Sequence, residues 1–255
     1  MIGKLDNIMK QKQIEWTDDL IKKFWDYESQ FPEKYFTHSF GHLITHEVNE
    51  YLVKAKKVLD YGTGIGLLIP HLLKYNIEVT GTDFSNDSLD VVNNNYNDNS
   101  KFKGVFHIDD IINVNKKYDI IFCIEMIEHI NDHYLDITFK NFKHLLADDG
   151  YIVITTPNDE VLGDNMICCP KCNSVFHRWQ HIKSWNSSSL EKAVNKYGFR
   201  KEKIYTTFFN PIDEEKKTLT SIIARFIRKY ILLRKEMKNT APQTKPPHLV
   251  AIIKN

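Results

Sequence analysis

The sequence predicts an α/β protein built on a doubly wound parallel sheet, and three observations predict it. Val58 and Leu59 read as a short buried strand running into Gly62-Thr63-Gly64-Ile65-Gly66, behind which Leu67, Leu68, His71 and Leu72 repeat at helical spacing. Tyr118-Asp119-Ile120-Ile121-Phe122-Cys123-Ile124 is an almost continuous apolar run, the mark of a central strand covered on both faces. Strand and helix patterns alternate through five strands, as a doubly wound sheet requires.

Ahead of the first strand, Thr17 is a predicted N-cap with Asp18 and Asp19 in the first turn. Leu20, Ile21, Phe24 and Trp25 give that helix its apolar stripe, and Gln30-Phe31-Pro32 ends it. The aromatic stretch Tyr35-Phe36-Thr37-His38-Ser39-Phe40-Gly41 leads to a second helix carrying Leu43, Ile44, Val48 and Leu52. Residues 1–54 are therefore expected to form a helical cap over the mouth of the site, their rings divided between lid and core.

Three alternate glycines let the backbone turn sharply and approach a ligand with no Cβ in the way. In a parallel sheet that loop lies at the carboxyl edge of its strand, under a helix N-terminus, where ligands bind. The spacing Gly62-x-Gly64-x-Gly66 departs from the dinucleotide pattern G-x-G-x-x-G. Asp60, two residues earlier, can accept a hydrogen bond from an ammonium group, which an amino-acid-like cofactor carries and a nicotinamide cofactor does not. The next strand, 77–85, ends on Asp83, about 20 residues past the loop, where a carboxylate can take both hydroxyls of a ribose. Ser85 or Asn86 is available to cap the helix over 86–95. A third strand, 104–108, ends on Asp109-Asp110, of which one either meets an adenine amino group or sits in a solvated turn. The central strand then enters Glu125-Met126-Ile127-Glu128-His129-Ile130, followed by a helix over 132–146, the turn Asp148-Asp149-Gly150 and a fifth strand over 151–158.

The 255 residues suit one well-buried domain with additions and would crowd two. With 34 Lys and Arg against 33 Asp and Glu, the net charge of +1 supplies no global field for a nucleic-acid partner. Residues 1–17 lack the apolar core of a secretory signal, and no run approaches bilayer-spanning length. Four cysteines, three of them clustered, do not read as a disulfide framework. These features point to the cytoplasm.

Val58-Leu59-Asp60-x-Gly62-x-Gly64-x-Gly66, Gly81-Thr82-Asp83, Tyr118-Asp119-Ile120-Ile121 with Glu125-x-x-Glu128-His129, and the Asp149-Gly150 turn together resemble a class I S-adenosylmethionine-dependent methyltransferase over roughly residues 50–160. The branch most similar by eye holds the ubiquinone-type O-methyltransferases. The resemblance implies S-adenosylmethionine as cofactor and a Rossmann-like sheet of seven strands with the last antiparallel. It places the methionine moiety at Asp60, Gly62, Gly64 and Gly66, the ribose at Asp83, and adenine and the methyl group near Asp109 or Asp110, Ile124 and Glu125. The implied catalytic domain runs over 55–255. Its sixth strand falls at 201–209, after a helix over 187–197 stopped by Gly198, and its seventh at 249–253.

Methyl transfer from a sulfonium is an in-line displacement that asks the protein to align the groups and exclude water. A hydroxyl nucleophile gains from a general base, for which His129, beside Glu125, is the candidate; its alternative is a structural role at the helix start. The expected acceptor is an oxygen of a small molecule, lipid precursor or glycan. Glu125, Glu128 and His129 with a downstream histidine also resemble the metal site of small-RNA 3′-terminal 2′-O-methyltransferases, though the chain lacks their basic excess. A cofactor-binding scaffold without turnover is the non-enzymatic alternative.

Two segments fall outside that pattern. Cys169-x-x-Cys172 followed by His177 and His181, within 159–185, has the spacing of a tetrahedral zinc knuckle that would brace the acceptor loop. Its alternative is an irregular loop with reduced cysteines. In the insertion 213–247, Leu219, Ile222, Ile223, Phe226, Ile227, Tyr230 and Ile231 oppose a basic face. A helix over 214–238 is expected to pack its stripe on its own domain or to serve as a substrate lid, with self-association or an anionic membrane surface as alternatives.

Overall fold

The computed structural model describes residues 12–209 and 245–255. The inserted helix expected over 214–238 lies outside the described residues. The helices α1 (Asp18–Glu28), α2 (Phe36–Glu47) and α3 (Asn49–Leu52) precede the main sheet, after a two-residue strand β1 (Lys12–Gln13). Thr17 caps α1 through its side chain, as its sequence position predicts.

The main sheet is built from β2 (Lys57–Tyr61), β3 (Glu78–Asp83), β4 (Phe102–His107), β5 (Tyr118–Ile124), β6 (Leu146–Pro157), β9 (Arg200–Thr207) and β10 (His248–Lys254), interleaved with α4 (Ile69–Leu73), α5 (Asn86–Tyr96), α6 (Asp132–Leu145) and α7 (Ser187–Lys196). Its strand order is β4-β3-β2-β5-β6-β10-β9. β2, β3, β4, β5 and β6 pair in parallel, and β10 runs antiparallel to both of its neighbours. This is the expected seven-stranded methyltransferase sheet. A second sheet joins β1 to the hairpin β7 (Met166–Cys168) and β8 (Ser174–His177).

Strand periodicity divides the core. Ile120, Phe122 and Ile124 of β5 point into one apolar layer with Val58, Leu72 and Val153, while Ile121 and Cys123 point into the other with Phe139, Phe142 and Leu190. Burial on both faces explains the run of apolar residues at 118–124. The strand order reverses between β2 and β5, so their carboxyl ends open the crevice in which such sheets hold ligands.

The helix expected straight after the glycines starts later, at Ile69. Gly62, Gly64 and Gly66 all have positive φ, and the backbone reaches the helical region only beyond them. Phe209, expected to end the sixth strand, instead leaves it with φ +45° and buries its ring against Phe36, Phe40 and His248.

Candidate active site

A cavity of about 720 Å³ occupies the crevice, within the ~300–1,000 Å³ common for small-molecule sites. Its floor is the carboxyl edge of β2, β3 and β5. Its roof comes from α1 and the start of α2, including Trp25, Tyr35 and Phe40. Residues of α1 and of the start of α2 thus line the cavity opposite the sheet edge.

At one end stand the glycine loop and two buried carboxylates. Asp60 accepts a hydrogen bond from Thr63 Oγ1 at 2.7 Å. Burial pushes its carboxyl up to about 7, against the pull of Thr63 and with a further push from Asp83. Asp83 ends β3, where Oδ2 accepts the backbone N–H of Gly64 at 2.8 Å and Oδ1 that of Ser85 at 3.0 Å. Burial raises this carboxyl too, opposed by those N–H groups and by His107. Two buried acids that form no salt bridge among the described residues fit a ligand that brings an ammonium group and donor hydroxyls. Ser85, not Asp83, caps α5, and Asp83 lines the cavity.

The glycines divide by role. Gly62 and Gly64 line the cavity, and a Cβ on Gly64, at φ +53°, would come within 3.3 Å of the Tyr35 ring. Gly66 does not line it. A Cβ there would meet Val92 Cγ2 at 2.9 Å, so its smallness serves the packing of α5 against the loop. Of the acidic pair after β4, Asp109 lines the cavity beside His107 and Ile108, while Asp110 stands at the start of a short 3₁₀ turn without a side-chain cap bond.

The other end is an acid–histidine centre where β5 stops. Ile124 and Glu125 both line the cavity. Glu125 has φ +48°, unusual for this residue type, and its Oε1 accepts from Thr155 Oγ1 at 2.8 Å. Burial pushes its carboxyl up to about 7. Glu128 Oε2 accepts from Thr156 Oγ1 at 2.9 Å, whereas Oε1 is buried without a hydrogen-bond partner, 3.7 Å from His129 Nε2. Burial and then the nearby Glu125 carboxylate drive Glu128 well above the usual range. Burial, then the neighbouring His181, holds His129 well below the usual imidazole range. Its Nδ1 is also buried and unpartnered.

His181 reaches this centre because the backbone N–H groups of Ile182 and Lys183 donate to Glu128 O at 2.9 and 3.2 Å. Glu128, His129 and His181 each place a ligand atom within 4.8 Å of the others. Gln180, fully buried, donates to His129 O at 3.0 Å and accepts from Trp25 Nε1. Glu160 meets His181 and His177, a second grouping that the sequence did not reveal.

The structure does not bring Cys169, Cys172, His177 and His181 together as the knuckle reading expected. In the β7–β8 hairpin, Met166 pairs with His177 and Cys168 with Val175, which puts Cys169 and Cys172 at the tip and His177 at the base. At about 3.3 Å rise per residue the two ends are separated by roughly 10 Å. His177 turns inward, buried, while Cys172 is exposed and paired to Ser174 Oγ at 3.3 Å.

Residues 33–204 match the family described as "Methyltransferase domain". Among curated relatives, the ubiquinone biosynthesis O-methyltransferase of Pelagibacter ubique is 24% identical over 246 residues, 88% of this chain and 99% of that protein. The namesake from Coxiella burnetii is 35% identical over 109 residues, 42% of this chain and 45% of that one. The crystal structure of an S-adenosylmethionine-dependent methyltransferase from Archaeoglobus fulgidus superposes with a TM-score of 0.58 at 19% identity, covering 91% of this chain and 99% of that one. The family match across two thirds of the sequence and the sheet with its glycine-loop crevice agree: the chain belongs to the class I S-adenosylmethionine-dependent methyltransferases.

Proposed function

We propose that the chain transfers the methyl group of S-adenosylmethionine to a hydroxyl oxygen of a small-molecule, lipid-precursor or glycan acceptor, bound over Glu125, Glu128, His129 and His181. The observation that carries this reading is a single cavity with an ammonium- and ribose-suited end at Asp60 and Asp83 and an acid–histidine end at β5. The curated relatives, named as O-methyltransferases, support an oxygen acceptor.

In this reading Asp60 takes the amino group, Gly62 and Gly64 let the backbone approach the methionine moiety, Asp83 holds the ribose, and Asp109 faces the adenine side. Trp25 and Tyr35 keep water from the sulfonium. The acceptor oxygen forms a bond to the methyl carbon as the carbon–sulfur bond breaks, and S-adenosylhomocysteine leaves with the electron pair. The hydroxyl proton passes to the oxygen of Glu125 not engaged by Thr155, a carboxylate whose pKa near 7 suits the task.

Glu128, His129 and His181 also suit a divalent cation. Glu128 Oε1 is buried and unpartnered with His129 Nε2 3.7 Å away, and one carboxylate with two imidazoles is a common donor set for zinc, manganese or iron. A cation held there would make an acceptor hydroxyl more acidic. His129 is then a ligand, and its expected role as general base falls to Glu125. The proximity of His181 to Glu128 and His129 also favours, as a second reading, the terminal diol of an RNA. Against it, Asp18, Asp19, Glu28, Glu33 and Asp109 outnumber Lys22 and Lys34 among the cavity-lining residues, a poor field for a polyanion.

Tritium-labelled methyl transfer, run with and without chelator, separates these readings. Label in a phenolic or alcoholic small molecule or a glycan, reduced at least tenfold in Glu125→Gln, is the expected result. Label only in the 3′-terminal nucleotide of an oligoribonucleotide would establish the second reading, and label on nitrogen or carbon acceptors alone would contradict both.

A further inference from the structure

Two acid–histidine clusters share His181. One joins it to Glu128 and His129, the other to Glu160 and His177, and both place one candidate ligand atom per residue within 4.8 Å. Hydrogen bonding separates them. His177 Nδ1 accepts the backbone N–H groups of Trp179 and His181 at 3.3 and 3.2 Å. Its lone pair is committed there, so the neutral ring carries its proton on Nε2 and has no lone pair to give a cation on the Glu160 side.

Glu160 is committed as well. Its Oε1 accepts from Asn165 Nδ2 at 3.2 Å and lies 3.3 Å from His177 Nε2, while its Oε2 lies 2.5 Å from His181 Nδ1. A carboxylate accepts, so Nδ1 of His181 is the protonated nitrogen and the lone pair sits on Nε2. His181 also meets His129, its ring edge-on with centroids 4.8 Å apart. The unpartnered Glu128 Oε1 lies 3.7 Å from His129 Nε2 and belongs to the same cluster.

We propose that Glu160 is the positioning residue of the acceptor end. Held by Asn165 and flanked by His177, it fixes the Nδ1–H tautomer of His181 and aims the Nε2 lone pair at the Glu128–His129 side. The chain then takes up one divalent cation, not two, and its affinity depends on a residue that does not ligate it. This rests on the cation reading given above. Carboxylates behind ligating histidines typically contribute about 10–100-fold in metal affinity.

The test is a Mn²⁺ titration of the full chain followed by the EPR signal of free Mn²⁺, for wild type, Glu160→Gln, Glu160→Ala and Glu128→Gln, with circular dichroism to verify folding. One Mn²⁺ per chain in wild type, bound about 10–100-fold more weakly in the Glu160 variants, is the expected result. Unchanged affinity in those variants, with binding lost in Glu128→Gln, would overturn the positioning role and leave the cation reading standing. Two ions per wild-type chain would also overturn it. No Mn²⁺ bound by wild type would overturn the cation reading and the proposal with it. Should the Glu160 variants fail to fold, long-range ¹H–¹⁵N NMR of the metal-free wild type decides. Protons on His181 Nδ1 and His177 Nε2 support the proposal, and a proton on His181 Nε2 contradicts it.

Discussion

The indole nitrogen of Trp25 donates to Oε1 of Gln180 at 3.0 Å, tying the roof helix α1 to the segment that carries His181. The same indole meets the His129 ring edge-on at 4.9 Å, and Gln180 donates onward to the His129 carbonyl. Roof and acceptor centre are one unit. Trp25→Phe keeps the ring contact, removes the donor and leaves a buried amide oxygen unpaired, a loss of about 1–3 kcal/mol. Faster amide exchange over α1 is expected, with little change in the central strands. Unchanged exchange in α1 would contradict this coupling.

The glycine loop makes two separable predictions. Asp83→Asn removes a charge that accepts the Gly64 and Ser85 N–H groups, and S-adenosylhomocysteine should bind at least tenfold more weakly by calorimetry. Gly66→Ala should act on stability instead. Its φ of +80° and the 2.9 Å approach to Val92 predict a loss of about 1–3 kcal/mol in denaturant unfolding. Full stability in Gly66→Ala would show that the loop relaxes around a Cβ.

His248 ties acid stability to the aromatic cluster of Phe36, Phe40 and Phe209. Burial lowers its pKa to about 4. The unfolded chain, with an ordinary histidine near 6.5, binds the proton first, so the contribution of this group is full above about pH 6.5 and is lost as pH falls toward 4. His248→Phe should show a shallower loss of stability across that window. An identical slope would mean that the imidazole titrates normally.

Thiol reactivity reports the hairpin geometry. The Ser174 hydroxyl and backbone, then Cys169, bring the exposed Cys172 thiol down to about 7, whereas burial drives Cys123 well up. Iodoacetamide at pH 7 should modify Cys172 rapidly and Cys123 only on unfolding. Protection of Cys172 that is lifted by chelator would instead support a metal on the cysteines.

Much of this architecture was legible in local pattern. The run 118–124 became β5, Asp83 closed β3 and Ser85 took the cap, because burial on both faces, a strand-end acid and helix capping each leave a local signature. The acceptor centre was only half legible. Glu125-x-x-Glu128-His129 announced one side, but His181 read as a partner of the cysteines, since spacing alone cannot show that the hairpin register carries Cys169 and Cys172 away from it. Glu160 and Gln180 had no signal at all, and Trp25 showed only as part of an apolar helical stripe. Their roles come from contacts between distant segments, such as the 155 positions separating Trp25 from Gln180.

The most direct measurement is a crystal structure with S-adenosylhomocysteine and Mn²⁺, with data collected for manganese anomalous scattering. The expected result is the amino group at Asp60, the ribose at Asp83 and one anomalous peak among Glu128, His129 and His181, with the cofactor sulfur facing it across the cavity. A peak at Cys169 and Cys172, or a ligand bound away from the glycine loop, would contradict it.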